Sequence, residues 1–317
     1  MSEQRVWVIG RSGLLGSALA RLHGADTFPG SRIPWRDPNA VAALDEDLGR
    51  FLAQLPVGAR WTVYWAAGSG AIGSAPGTLR QESIVLSGFL DAIRRRVTTD
   101  EGAFFYSSSA SVYGGSTGPP FTESTPAVPL NAYAAAKHEQ ETLVSAALSN
   151  RMPHVIGRIS TLFGPGQDLS KGQGLVSRLC LQAARRQPVS LFVPIDTLRD
   201  YIQVNDAAEV IRRFVVAAQA SADSTTRIRI VARGESMTIA ELASRVRAVG
   251  HRRIGISQAA IAPRSAHVRD LRVRTEFEHE LAGVRWSSIA AGIQAVQADI
   301  LRQINRGNLA SETERSG

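Results

Sequence analysis

Short apolar runs alternate with helical patterns along the first half of the chain, which is the signature of β-α-β units and a parallel sheet. The apolar runs predict strands at Val6–Ile9, Trp61–Ala66, Ala103–Ser107 and His154–Ile159. Between them, three- and four-residue spacing of apolar positions predicts helices at Leu14–Leu22, Asn39–Gln54, Thr78–Arg95 and Ala132–Leu148. A second strand belongs between Thr27 and Trp35, but Pro29, Gly30 and Pro34 interrupt every run there, so its position stays open. After Gly166 the pattern changes. Leu175–Arg186, Ala207–Ala217, Ile239–Val249 and Ser287–Ile304 read as helices, and Val189–Val193 and Arg227–Val231 as strands. There is no internal repeat. The polar run 305–317 reads as a disordered tail.

Three local patterns carry chemistry. Arg5-Val-Trp-Val-Ile-Gly-Arg-Ser-Gly-Leu-Leu-Gly16 is an apolar strand running into Gly10-x-x-Gly13-x-x-Gly16 and a helix. Glycines there permit a tight turn and let a pyrophosphate approach the positive end of the helix. The second is Phe104-Phe-Tyr-Ser-Ser-Ser-Ala-Ser-Val-Tyr-Gly114, a strand ending in small hydroxyl residues. In an open α/β sheet ligands bind at that edge, so Ser109 is placed to hydrogen-bond a substrate oxygen. The third is Tyr133 and Lys137, four apart on a predicted helix and therefore on one face. A phenol beside an ammonium is a proton-transfer site, because the cation favours the phenolate.

Composition changes the picture in two places. The chain has 317 residues, 36 of them basic, yet Lys137 and Lys171 are its only lysines, so a lysine one helical turn after a tyrosine stands out. The formal charge of +8 raises the question of nucleic acid, but Arg94-Arg-Arg96, Arg185-Arg186, Arg212-Arg213 and Arg252-Arg253 are scattered without interleaved aromatics. No nucleic-acid partner is expected, and a positive field also suits a small dianionic ligand. A single cysteine, Cys180, rules out an internal disulfide and suits a reducing cytoplasm. No apolar stretch is long enough for a membrane helix, and the N-terminus lacks a signal pattern, so a cytoplasmic protein without a membrane partner is expected. No metal site is expected.

The three patterns, in this order, resemble the extended short-chain dehydrogenase/reductase family, the NAD-dependent epimerases and dehydratases that modify nucleotide sugars. Arg158-Ile-Ser-Thr-Leu-Phe-Gly-Pro-Gly166 is similar to that family's R-x-x-N-x-Y-G-P-x, and Arg199-Asp-Tyr-Ile-Gln-Val-Asn-Asp206 to its R-D-F/Y-x-x-V-x-D. The segment from Arg264 to Ile293 resembles its closing segment, so the likeness spans about 1–300. The resemblance implies a Rossmann-type, doubly wound parallel α/β sheet over 1–165, with strand and helix returns from about 189–220. A smaller mixed α/β substrate-binding part over 166–304 completes it. It implies a catalytic Ser109, Tyr133 and Lys137. Cofactor contacts are expected from Gly10, Arg11, Gly13, Leu14, Leu15 and Gly16, then from Arg36, from Ala66 and Ala67, and from Tyr133 and Lys137. Substrate contacts are expected from Ser109, Tyr113 and Thr161, with Arg199 and Arg264 pairing the diphosphate.

Departures from the family's subgroups narrow the chemistry. Members that eliminate water carry an Asp-Glu pair where this chain has Ala110 and Ser111, so no acid is at hand to protonate a leaving hydroxyl. The family's asparagine in R-x-x-N is Thr161, and the usual asparagine at the start of the Ser83–Ile93 helix is missing. What remains is hydride transfer at a sugar carbon, as in a 4-epimerase or a 4-ketoreductase. The alternative is a non-catalytic dinucleotide-binding subunit or sensor. The cofactor is NAD or NADP: Asp26 and Asp37 bracket the place of the ribose acid, whereas Arg11, Arg32 and Arg36 tilt the reading toward NADP. A homodimer is expected, partly by resemblance and partly from the long helices Thr78–Arg95 and Ala132–Leu148.

Overall fold

The structure is a computed structural model that describes residues 4–97, 102–169, 174–191, 193–221, 223–250, 255–258 and 268–306. In chain order the first half holds β1 (Gln4–Ile9), α1 (Leu14–His23), β2 (Thr27–Phe28), α2 (Ala40–Ala53), β3 (Arg60–Trp65), α3 (Pro76–Arg96), β4 (Gly102–Ser109), α4 (Ala132–Leu148), β5 (His154–Ile159) and β6 (Thr161–Phe163). There follow α5 (Leu175–Arg185), β7 (Val189–Leu191), β8 (Leu198–Gln203), α6 (Val204–Ala220), β9 (Thr226–Val231), β10 (Ser236–Thr238), α7 (Ile239–Gly250), β11 (Ile256–Gln258), β12 (Asp270–Leu271) and α8 (Ile289–Asn305).

Six strands form one parallel sheet in the order β2-β1-β3-β4-β5-β9. Its strands are apolar on both faces because helices cover both. Trp7, Trp61, Val63, Trp65, Phe104 and Tyr106 face α2, α3 and α4, while Val6, Val8, Tyr64 and Phe105 alternate with them toward α1 and α6. The order reverses between β1 and β3, which opens a crevice at the carboxyl ends of those strands.

The second strand is only two residues long and stops at Pro29, as the interrupted pattern requires. The strand that returns to the main sheet is β9, preceded by α6 (Val204–Ala220), rather than the run at 189–193. There β7 pairs with β11 in a separate two-stranded sheet. The remaining strands, β10, β8 and β12 with β6 alongside β8, build a small mixed sheet. With α5, α7 and α8 it encloses its own apolar core around Phe163, Leu179, Tyr201, Leu242 and Ile293. The helix α8 runs to Asn305, one residue into the run expected to be a tail, and 307–317 lie outside the described residues.

Candidate active site

A cleft of about 840 Å³ opens along the carboxyl edge of the main sheet, within the size range of small-molecule sites. Its walls come from the turn after β1 (Ser12–Leu15), the loop after β3 (Ala66–Ile72), the end of β4 (Ser107–Ser111) and the segment after β5 (Ile159–Leu162). Tyr133 and Lys137 line it from α4, and Arg199 and Asp200 from β8. The fold thus joins residues that lie up to about 260 positions apart in sequence, from Ser12 to Leu271.

In the glycine turn the three glycines have different jobs. Gly10 sits at φ +88° and a Cβ there would lie 2.7 Å from the Ala67 backbone. A Cβ on Gly16 would come within 2.1 Å of the Gly10 carbonyl oxygen. Both positions are glycine because the fold leaves no room. At Gly13 the nearest atom, the Gly10 carbonyl oxygen, would be 3.3 Å away, a tight contact but far less severe than at the other two positions. Gly13 is the N-cap of α1, which has no side-chain cap and no acid in its first turn. Its unpaired N–H groups and positive dipole end face the cleft beside Ser12, Gly13, Leu14 and Leu15, as an anionic phosphate requires.

The position of α4 is set by Asn131, whose side chain accepts the Ala134 N–H at 2.9 Å and starts the helix just ahead of Tyr133. Ser109 and Tyr133 line the cleft together, and the serine hydroxyl favours the ionised phenol. Burial raises the Tyr133 phenol above its ordinary value; the serine opposes that and the Glu82 carboxylate adds to it. The amine of Lys137 does not reach toward the phenol as the spacing suggested. It donates to the Tyr106 hydroxyl and to the Ser107 carbonyl, both at 3.2 Å, and burial lowers its pKa. The expected depression of the Tyr133 phenol by its neighbour is therefore reversed in this structure, because desolvation outweighs the attraction.

Behind the cleft runs a network that sequence spacing did not reveal. The Tyr106 hydroxyl donates to Gln140 Oε1, and Gln140 Nε2 donates to Ser83 Oγ on α3 at 3.1 Å. Arg158 on β5 forks onto Glu141 on α4, which also accepts Ser108 Oγ at 2.5 Å. The motif residue Arg158 also gives NH1 to the Tyr113 hydroxyl at 2.8 Å.

That bond corrects the expectation for Tyr113. It is fully buried, its hydroxyl donates to the Thr122 carbonyl, and its ring stacks on Phe121, so it faces the interior and not the cleft. Thr161 and Arg199 do line the cleft. The guanidinium of Arg199 is already bonded to the carbonyls of Leu198 and Val268. Arg264 lies outside the described residues. Ala110 and Ser111 open a 3-10 turn, Ala110–Tyr113, and the Ser111 N–H donates back to Ser109 Oγ at 3.2 Å.

Among the described residues, no carboxylate stands directly at the end of β2. Asp26 precedes the strand, Asp37 accepts the Asn39 N–H, and Asp47 is bonded to Ser31 and Arg50. Arg11 instead reaches across to the Pro29 carbonyl at 2.8 Å, and Arg32 and Arg36 are exposed beyond it. Several of the basic clusters are paired with acids on their own or neighbouring helices: Arg96 with Asp45, Arg212 and Arg213 with Glu209. Among the described residues no helix is long and apolar enough to cross a membrane, and no cluster of metal-binding side chains occurs.

Comparison with known proteins adds the following. The family model described as NAD dependent epimerase/dehydratase family matches residues 62–228. A curated dTDP-L-rhamnose 4-epimerase of Burkholderia thailandensis is 26% identical over 185 residues, 57% of this chain and about half (49%) the length of that relative. Among solved structures, RMD from Pseudomonas aeruginosa complexed with NADPH is 24% identical with a TM-score of 0.74, covering 96% of this chain and 99% of its own. The UDP-glucuronic acid 4-epimerase of Bacillus cereus, in complex with UDP-glucuronic acid and NAD, is 19% identical with a TM-score of 0.72, covering 94% and 99%. At these identities the structural likenesses show the fold.

Proposed function

The chain belongs to the NAD dependent epimerase/dehydratase family, and from that premise we propose that it is an enzyme that transfers hydride at a sugar carbon of a nucleotide sugar. The reaction is of the 4-epimerase or 4-ketoreductase type. The observation that carries this reading is the convergence of Ser109, Tyr133 and Lys137 on one cleft that also receives the bare N-terminus of α1. A sensor has no need of a poised phenol. The turn Ala110–Ser111 offers no acid for elimination of water, which argues against a dehydratase.

The residues present fit a dinucleotide: the glycine turn and the uncapped N-terminus of α1 line the cleft at Ser12, Gly13, Leu14 and Leu15. A bound nicotinamide would supply the hydride donor or acceptor. The protein's own residues manage the proton. Tyr133 removes it from the sugar hydroxyl as the carbonyl forms and returns it when the carbonyl is reduced. Ser109 holds the reacting oxygen and the phenol in one hydrogen-bonded row, and Lys137 supplies a fixed positive charge and a donor for a ribose hydroxyl. Thr161 lines the sugar side of the cleft. The exposed Arg32 and Arg36 beyond β2, together with Arg11, support NADP over NAD. The 1–165 part, with α6 and β9, serves as the dinucleotide domain, and the remainder closes over the substrate.

Two observations test the reading. Protein denatured after purification is assayed enzymatically for released NADP or NAD, and the folded protein is incubated with NADPH or NADP and UDP- and dTDP-hexoses while absorbance at 340 nm and product sugars are followed. No binding of either dinucleotide and no conversion of any of these sugars would overturn it. We also expect a homodimer through α3 and α4, where Ile84 is 54% exposed; sedimentation that finds only monomer at micromolar concentration would contradict it.

A further inference from the structure

Lys137 is 7% exposed, and its direct partners, the Tyr106 hydroxyl and the Ser107 carbonyl, are neutral. A buried ammonium without a countercharge is strongly unfavourable. The charged and titratable groups around it come from α4, β4, β5 and α3. On α4, Tyr133 is held up by burial, and Glu141 is already matched by Arg158 from β5, with His138 at 3.2 Å. On β4, burial holds Tyr106 well above the ordinary tyrosine value, so it is a neutral phenol. From α3 comes Glu82.

The two oxygens of Glu82 are used differently. Oε1 accepts the N–H groups of Ser69 at 2.6 Å and Gly70 at 2.7 Å, which pins the loop that floors the cleft. Oε2 takes no hydrogen bond among the described residues. A single point, where a Cβ on Gly68 would stand, lies 3.5 Å from Glu82 Oε2 and 3.7 Å from Lys137 Nζ. Acid and amine, from two elements, therefore lie no more than about 7 Å apart across Gly68, without direct ion-pair contact. Against the burial that lowers Lys137, the attraction of Glu82 is the largest opposing cause and that of Glu141 the second.

We infer that Glu82 is the countercharge of Lys137, a positioning residue that acts from behind the Gly68–Gly70 loop to keep the buried amine an ammonium while fixing the loop with its other oxygen. This rests on Tyr133 and Lys137 being the proton-transfer pair. It adds that the charge of the site is balanced before any ligand binds. A second negative charge on Tyr133 is then disfavoured, so the phenol of the ligand-free site stays protonated.

The presence of only two lysines makes a direct test practical. Protein labelled with 13Cε-lysine should give two lysine signals, assigned by Lys137→Met and followed against pH without dinucleotide or sugar. We expect the Lys137 midpoint to fall by about one unit or more in Glu82→Gln, which keeps an acceptor for the loop but removes the charge. In Glu82→Asp, which restores the charge, it should lie within about half a unit of wild type. An unchanged Lys137 midpoint in folded Glu82→Gln would overturn the inference. So would a wild-type midpoint below roughly 8, a result that needs no variant. Because neither titration involves a ligand, failure here is separable from failure to bind NADPH or NADH, measured on the same samples by calorimetry.

Discussion

Arg158 and Glu141 form a two-pronged ion pair beneath the cleft, Nε to Oε1 at 3.0 Å and NH2 to Oε2 at 2.7 Å, with both side chains about 5% exposed or less. The pair ties β5 to α4, and α4 carries Tyr133 and Lys137. Burial works against the arginine's charge, but the Glu141 bonds outweigh it and raise its pKa.

Removing one partner leaves a buried charge without its match. Arg158→Met should therefore lower the unfolding free energy by about 3–5 kcal/mol. The combined Arg158→Met, Glu141→Gln change should cost less than the sum of the single changes, since neither charge is then stranded. Urea unfolding with midpoints equal to wild type would show that the pair contributes nothing.

Gly10, Gly13 and Gly16 should separate in experiment as they do in space. Gly16→Ala and Gly10→Ala force a methyl into backbone atoms and should yield little folded protein. Gly13→Val should fold and lose dinucleotide affinity by about tenfold or more, because the side chain enters the space the phosphates need. Wild-type affinity of folded Gly13→Val in calorimetry would remove the α1 turn as the pyrophosphate site.

Tyr133→Phe should leave dinucleotide affinity near wild type while kcat falls by roughly 10²–10⁴, the usual range for a lost general acid/base. Lys137→Met should reduce both affinity and kcat. Near-full turnover by Tyr133→Phe on a sugar nucleotide that wild type converts would return the protein to the non-catalytic reading.

Asp200 gives a pH signature. Burial raises its carboxyl to about 6, against bonds from Ser160 and from the N–H groups of Arg233, Gly234 and Glu235. A folded-state pKa above the ordinary 3.8 means that the folded chain holds the proton more tightly. The associated stability is present below about 4 and is lost as pH rises through 6. Between those limits wild type should lose on the order of 3 kcal/mol relative to Asp200→Asn. Parallel pH profiles of the two proteins would show that Asp200 keeps an ordinary carboxylate pKa.

Cofactor choice should reside in the arginines beyond β2. Replacing Arg32 and Arg36 together by alanine is expected to weaken NADPH binding by about tenfold or more and to leave NADH nearly unchanged, since only the 2′-phosphate is lost as a partner. Equal losses for both dinucleotides would argue that these side chains serve the shared part of the molecule or none of it.

The features legible in the sequence were those that short-range geometry sets. Four residues make about one helical turn, so Tyr133 and Lys137 had to share a face, and alternation had to give Trp7 and Val8 opposite sides of the sheet. A strand ending in Gly10-x-x-Gly13-x-x-Gly16 had to turn tightly into a helix, and the parallel sheet followed from the alternation of patterns. The strand β8 was hidden because Arg199 and Asp200, half of its first four residues, are polar, and their burial depends on a neighbouring strand far away in sequence.

The side-chain partners were decided by tertiary structure. Register between β4 and β5 puts Ser108 beside Arg158, and the packing of α4 on both brings Glu141 between them. The same packing turns Tyr113 inward to Arg158 and lays Lys137 against Tyr106. Glu82 reaches the site only because the loop after β3 folds back over α3. Hydrogen bonds and buried charges act over a few ångströms in space and are indifferent to distance along the chain, so spacing could place Tyr133 and Lys137 on one face but not the groups that surround them.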